Sequence, residues 1–243
     1  MPYRRLPNTD KARLKALNTA LTRGREMPPF KLAFTQKSFQ KLQSFLTSYE
    51  NALSYYRQSY ITQTKKNKDY SASLKKARIY ISHFIQVLNL TIIRGELPPV
   101  AREYYGLNIN ESKIPSLNTE SDVIKWGDRL IKGESKRVSE GNTPVTNPSI
   151  AVVRVRYDIF LEAYHHQKTL KKNTSRTLEQ LTTLRSDADE IILQIWNEVE
   201  ESFKDLPDDL RREKAREYGL VYVYRKNEID NISFYNILRS GAG

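Results

Sequence analysis

Ala101-Arg102-Glu103-Tyr104-Tyr105-Gly106-Leu107 returns near the other end of the chain, one tyrosine shorter, as Ala215-Arg216-Glu217-Tyr218-Gly219-Leu220. A Leu-Pro pair precedes each copy, at Leu97-Pro98 and Leu206-Pro207. Upstream, Tyr49, Leu53 and Tyr56 match Tyr157, Leu161 and Tyr164, and Gln86-Val87-Leu88-Asn89 matches Gln194-Ile195-Trp196-Asn197, all at an offset of 108. Lys65-Lys66-Asn67 answers Lys171-Lys172-Asn173, Leu6-Pro7-Asn8-Thr9-Asp10 answers Leu117-Asn118-Thr119-Glu120, and Leu21-Thr22-Arg23-Gly24 answers Leu130-Ile131-Lys132-Gly133. A shared Leu/Lys-rich composition does not produce ordered matches of this kind. They are read as an internal duplication, with a first unit over residues 1–107 and a second over 108–243.

Apolar spacing assigns the elements of each unit. In the first, helices are expected over about 10–23, 34–64 and 70–94. Thr9 or Asn8 caps the first helix and Gly24 ends it. Phe39, Leu42, Leu46, Tyr49, Leu53, Tyr56 and Tyr60 keep an unbroken three-four spacing, the signature of a bundle seam. In the second unit the corresponding helices are expected over 121–132, capped by Ser121 and ended by Gly133, then 148–172 and 175–204. Lys65-Lys66-Asn67 and Lys171-Lys172-Asn173 suit helix C-termini, where lysine meets the negative end of the dipole and Asn tolerates left-handed geometry. Each long pair would then fold back as a hairpin. The expected fold is all-α: four long antiparallel helices in one pseudo-two-fold bundle, built from two tandem helical hairpins with shorter helices on the flanks. Leu220–Tyr224 and Ile232–Tyr235 have strand-like composition and suggest a small C-terminal β-hairpin.

Charge is distributed unevenly. Residues 1–107 hold 19 Lys/Arg against 6 Asp/Glu, whereas 108–243 hold 21 against 22, so the net +12 belongs to the first unit. Such asymmetry points to an anionic partner for that unit. The residues proposed to meet it are Arg4, Arg5, Lys11, Arg13 and Lys15 near the N-terminus, with Lys65, Lys66, Lys68, Lys75 and Lys76 around the first expected hairpin tip.

The chain has no cysteine, hence no disulfide framework and no thiolate metal site. The stretch from Ile79 to Ile93 is too short and too polar to span a membrane, and no signal-like apolar run follows the N-terminus. A cytoplasmic location is expected. Glu162-Ala163-Tyr164-His165 has the ExxH spacing of di-iron bundles, but the equivalent positions in the first unit are Ser54 and Arg57. No Gly-rich phosphate loop, nucleophile motif or cofactor signature is present. The sequence is therefore read as a non-enzymatic helical interaction or scaffold protein without metal or cofactor, acting on a protein partner or on itself. Nucleic-acid binding through the basic first unit is the alternative, and an enzyme lacking a linear motif the second alternative.

Overall fold

The structure is a computed structural model and describes residues 2–224. Its elements are β1 (Tyr3–Arg4), α1 (Asp10–Glu26), a 3₁₀ turn (Pro29–Lys31), α2 (Gln36–Ile93), a second 3₁₀ segment (Pro99–Tyr105), α3 (Glu120–Ser139), α4 (Ile150–Ser202), α5 (Asp208–Arg216) and β2 (Tyr222–Val223). The fold is all-α apart from the antiparallel pairing of β1 with β2, in which Tyr3 faces Val223 and Arg4 faces Tyr222. The expected second hairpin arm, 232–235, lies outside the described residues. No helix among the described residues is long and apolar enough to cross a membrane.

Two expected boundaries are overturned. The segments 34–64 and 70–94 belong to one helix, as do 148–172 and 175–204, so there are two long helices rather than four. The physical reason is local. A left-handed cap needs a residue at positive φ, and neither Asn67 nor Asn173 adopts one. No Gly or Pro interrupts either stretch, lysine is a good helix former, and Asn in a helix interior costs only a few tenths of a kcal/mol. Instead of closing a turn, Asn67 accepts a 3.2 Å hydrogen bond from Gln167 Nε2.

By packing, the chain divides into two compact units. One comprises 1–57 with 176–243, the other 58–175. In the first unit, Leu17 and Leu21 of α1 pack with Leu42, Leu46, Tyr49 and Leu53 of α2 and with Leu181, Ile192, Ile195 and Trp196 of α4. In the second, Val123 and Leu130 of α3 pack with Ile81, Phe84 and Leu88 of α2 and with Val153, Tyr157 and Phe160 of α4. The seam of α2 is buried from Leu42 to Leu53, with Phe39 and Tyr56 partly buried at its ends. Tyr60 is exposed, and so is His83.

The glycines read as helix stops have another use. Gly24 and Gly133 both lie inside their helices. A Cβ at Gly24 would strike the Phe39 ring, one at Gly133 the backbone carbonyl of Tyr104, and one at Gly127 the Tyr157 ring. Their absent side chains let each short helix approach its neighbour closely, which outweighs the roughly 1 kcal/mol propensity cost of glycine. Caps lie upstream. Thr9 accepts from Ala12 N–H at 3.2 Å, and Thr119, not Ser121, caps α3 in a reciprocal pair with Asp122.

The two Ala-Arg-Glu-Tyr copies end alike. Each follows a Leu-Pro, and each closes on a glycine at positive φ, Gly106 at 66° and Gly219 at 90°. Tyr105 and Tyr218 are thereby folded into the second and first cores respectively.

Continuity of α2 through its lysines can be tested at an exposed position. Lys68→Pro removes one backbone hydrogen bond and drives the ring into the preceding turn, so it should cost about 3 kcal/mol in urea unfolding. A cost below about 1 kcal/mol would mean that the helix ends there, because proline is tolerated at helix boundaries.

Candidate binding site

The ten basic residues singled out from the sequence separate into two sets: Arg4, Arg5, Lys11, Arg13 and Lys15 in the first unit, and Lys65, Lys66, Lys68, Lys75 and Lys76 in the second. Two of them are bound internally. Arg4 Nη1 donates to Asn197 Oδ1 and Glu200 Oε2, both at 2.8 Å. Arg13 grips Asp189 through two bonds of 2.7 and 2.8 Å. Such two-pronged pairs fix geometry and leave little charge for a ligand. Lys66 lies 3.6 Å from Asp69 on the same helix. Lys11 is exposed on α1. Lys65, Lys68, Lys75 and Lys76 are exposed on α2. At 100° per residue these four fall within about 100° of the helix circumference. Continuity of the helix, which the sequence did not reveal, is what aligns them.

Arg5 and Lys15 are placed differently. They stand at a cavity of about 240 Å³ in the first unit, with Leu6, Ala12, Ala16, Trp196 and Val221 among its walls. The small sheet sets this rim, because Arg5 N–H donates to the Val221 carbonyl at 2.8 Å, one step beyond the β1–β2 pairs. Ala12 and Ala16, four residues apart on α1, leave the hollow that larger side chains would fill. A Cβ at Gly219 would come within 3.4 Å of the α1 backbone at Ala16. The floor is Trp196, 1% exposed. Its indole N–H makes no hydrogen bond with a described residue. Of these, only Arg5 and Lys15 were singled out from the sequence. The remainder come from four separate stretches and share no linear signal, except the Ala12/Ala16 spacing.

A second surface lies on α4 in the other unit. Val152, Val155 and Ile159 are 40%, 56% and 46% exposed, while Val153, Tyr157 and Phe160 of the same turns face the core.

The carboxylates are tied into structural networks. Asp10 receives both prongs of Arg185 at 2.7 Å and the Tyr49 hydroxyl at 3.0 Å. The Arg185 hydrogen bond, against the smaller opposing effect of burial, holds the Asp10 carboxyl below its ordinary range. In the second unit Glu134 and Arg137 are 0% and 1% exposed and pair at 2.9 and 3.0 Å. Tyr105 donates to the same carboxylate, as does Val145 N–H at 2.7 Å, while Arg137 also bonds the Thr143 carbonyl at 2.7 Å. Burial disfavours the charge on Glu134, but these donors together outweigh it and hold the carboxyl low. Glu162 and His165, the ExxH pair, are exposed. Among the described residues no three His, Cys, Asp or Glu side chains are arranged to hold a metal ion.

Both depressed carboxyls give the same sign of pH dependence. Each binds protons more weakly folded than unfolded, so its contribution is complete above its ordinary values of 3.8 (Asp10) and 4.5 (Glu134) and is lost as pH falls through the folded value. Denaturant unfolding from pH 7 to about pH 3 should show stability falling over the acid end of that range. Asp10→Asn should be less stable at pH 7 and should flatten part of the acid loss. An unchanged acid profile in Asp10→Asn would remove Asp10 from the account.

Comparison of the chain with protein-family models, with curated proteins and with solved structures returns no match.

Proposed function

We propose that the protein is a non-enzymatic helical interaction protein that associates with a second copy of itself through the outer face of α4. The observation that carries this reading is the stretch Ile150–Phe160, in which Ile150, Ala151, Val152, Val153, Val155, Tyr157, Ile159 and Phe160 are apolar. A helix that is apolar on both faces belongs in an interior, and here only one face has a core to enter. β-branched residues on a solvated helix also forgo a few tenths of a kcal/mol each relative to Lys or Glu. A cover of the same chemistry gives those positions a purpose. In a two-fold pairing of antiparallel α4 helices, Val155 of one copy meets Ile159 of the other. The same patch then serves both sides, as a closed dimer requires.

Sedimentation velocity over a concentration series tests this. Wild type should show a monomer–dimer equilibrium, and Val155→Lys with Ile159→Lys should shift it to monomer with unchanged helix content by circular dichroism. A wild-type chain that stays monomeric at several hundred micromolar would end the reading.

A second reading rests on the aligned lysines of α2. Four exposed cations along one helix face match a nucleic-acid backbone, which is bound through its phosphates. With all four engaged, log K for a labelled duplex should fall against log salt with a slope of about −3 to −4. Reversal of Lys65, Lys68, Lys75 and Lys76 to Glu should abolish binding. No binding of the wild type at about 50 mM salt would discard this reading.

The duplication belongs to the same proposal. Each compact unit takes a Thr-capped short helix and the start of a long helix from one half of the sequence. It takes the end of the other long helix, and the Ala-Arg-Glu-Tyr segment, from the other half. This supports descent from one doubled helical unit whose copies exchanged partners.

A further inference from the structure

We infer that the cavity of the first unit, with Arg5 and Lys15 at its rim and Trp196 as its floor, is a binding site for a carboxylate carried on a compact apolar body. The inference stands apart from self-association, which concerns the other unit.

Three features of the site point to this ligand. The first is sign. Its charged groups are both cations, the Arg5 guanidinium and the Lys15 ammonium, beside the neutral side chains of Asn8, Thr19 and Trp196, and no Asp or Glu lines the cavity. The nearby carboxylates are engaged elsewhere. Glu217 pairs with Arg23 and with Lys214, Asp189 with Arg13, and Asp10 with Arg185. Arg5 and Lys15 form no ion pair with a described residue, so both remain available to an anion.

The second is the indole. Trp196 lines the cavity, and its N–H makes no hydrogen bond with a described residue. A carboxylate oxygen reaching into the cavity would supply the acceptor, in an apolar setting where a bond to a charged group is stronger than in water.

The third is size. About 240 Å³ is below the roughly 300–1,000 Å³ of sites for drug-sized ligands. It suits one aromatic ring or a short branched alkyl group rather than a fatty chain or a nucleotide. Leu6, Ala12, Ala16 and Val221 supply apolar walls for that body.

The shared chemistry has two sources, a free small carboxylic acid or the terminal residue of a partner peptide. The experiment separates them. The full chain is labelled with ¹⁵N and its two tryptophan indole N–H signals are followed, Trp126 in the second unit serving as internal control. The probes are phenylacetate, 2-phenylethanol, and a short peptide ending in phenylalanine as the free acid or the amide.

Phenylacetate should shift the Trp196 signal saturably and leave Trp126 in place. The alcohol should bind about tenfold more weakly or worse, and Arg5→Glu and Lys15→Glu should each weaken phenylacetate by about tenfold or more. Free-acid peptide binding tighter than phenylacetate, with the amide failing, supports the site as a reader of chain termini. The reverse order supports it as a small-acid site. The inference is overturned if the Trp196 signal does not move through about 10 mM phenylacetate. It is equally overturned if the alcohol binds as well as the acid, or if both charge reversals leave affinity unchanged. In every variant the dispersion of the ¹⁵N amide signals of residues 10–26, on α1, reports whether the fold of the first unit is retained.

Discussion

Unbroken backbone hydrogen bonding through α2 and α4 is the constraint from which the rest of the structure follows. A helix that continues from one unit into the next must present apolar residues twice, to two separate cores. α2 does so with Leu42, Leu46, Tyr49 and Leu53 in one and Ala77, Ile81, Phe84 and Leu88 in the other. Between them, from Gln58 to Asp69, no residue is buried, and the segment is held by propensity and polar bonding instead. The short helices α1 and α3 supply the third wall of their units. They come close only because Gly24, Gly127 and Gly133 remove the side chains that would keep them away.

Arginine and lysine divide the work of this basic chain. Arg4, Arg13, Arg23, Arg137 and Arg185 are spent on carboxylates inside the units, where a planar fork with several donors fixes two elements at once. Most of the lysines at issue stay in solvent. Each such pair takes one cation and one anion together, so the formal charge of +12 resides on the remaining side chains. Among the basic residues singled out from the sequence, Arg5 and Lys15 stand at the cavity of the first unit and Lys65, Lys68, Lys75 and Lys76 on one side of α2 in the second. The buried pair Glu134–Arg137 belongs to the structural set. Its bonds to Val145 N–H and the Thr143 carbonyl anchor the loop that leads into α4.

Most helical positions were legible because apolar spacing reports burial directly, as Leu42, Leu46, Tyr49, Ile81, Phe84 and Val153 illustrate. The ends of helices were less so. Lys65-Lys66-Asn67 resembles a terminus by composition, but a terminus needs a residue that cannot continue the helix, and none is there. Gly24 and Gly133 were misread for the complementary reason. Glycine ends helices often, yet it also serves where another chain must approach, and only the partner atom distinguishes the two uses. The cavity was legible in its cations alone. Its floor and far wall come from residues about 180 to 215 positions away, and no local pattern carries that information.

The interleaving of the two units has a consequence for how the chain is made. Residues 58–175 form a continuous stretch, so that unit can close as soon as it clears the ribosome. The other unit cannot. Its opening segment carries Leu17, Leu21, Leu42, Leu46 and Tyr49, whose packing partners on α4 are translated more than a hundred residues later. At about 5–20 residues per second, that leaves several seconds in which a nascent amphipathic segment has no native surface to bury against. Vectorial synthesis thus imposes an order on assembly, residues 58–175 first, while the apolar stripes of α1 and the first part of α2 wait for α4.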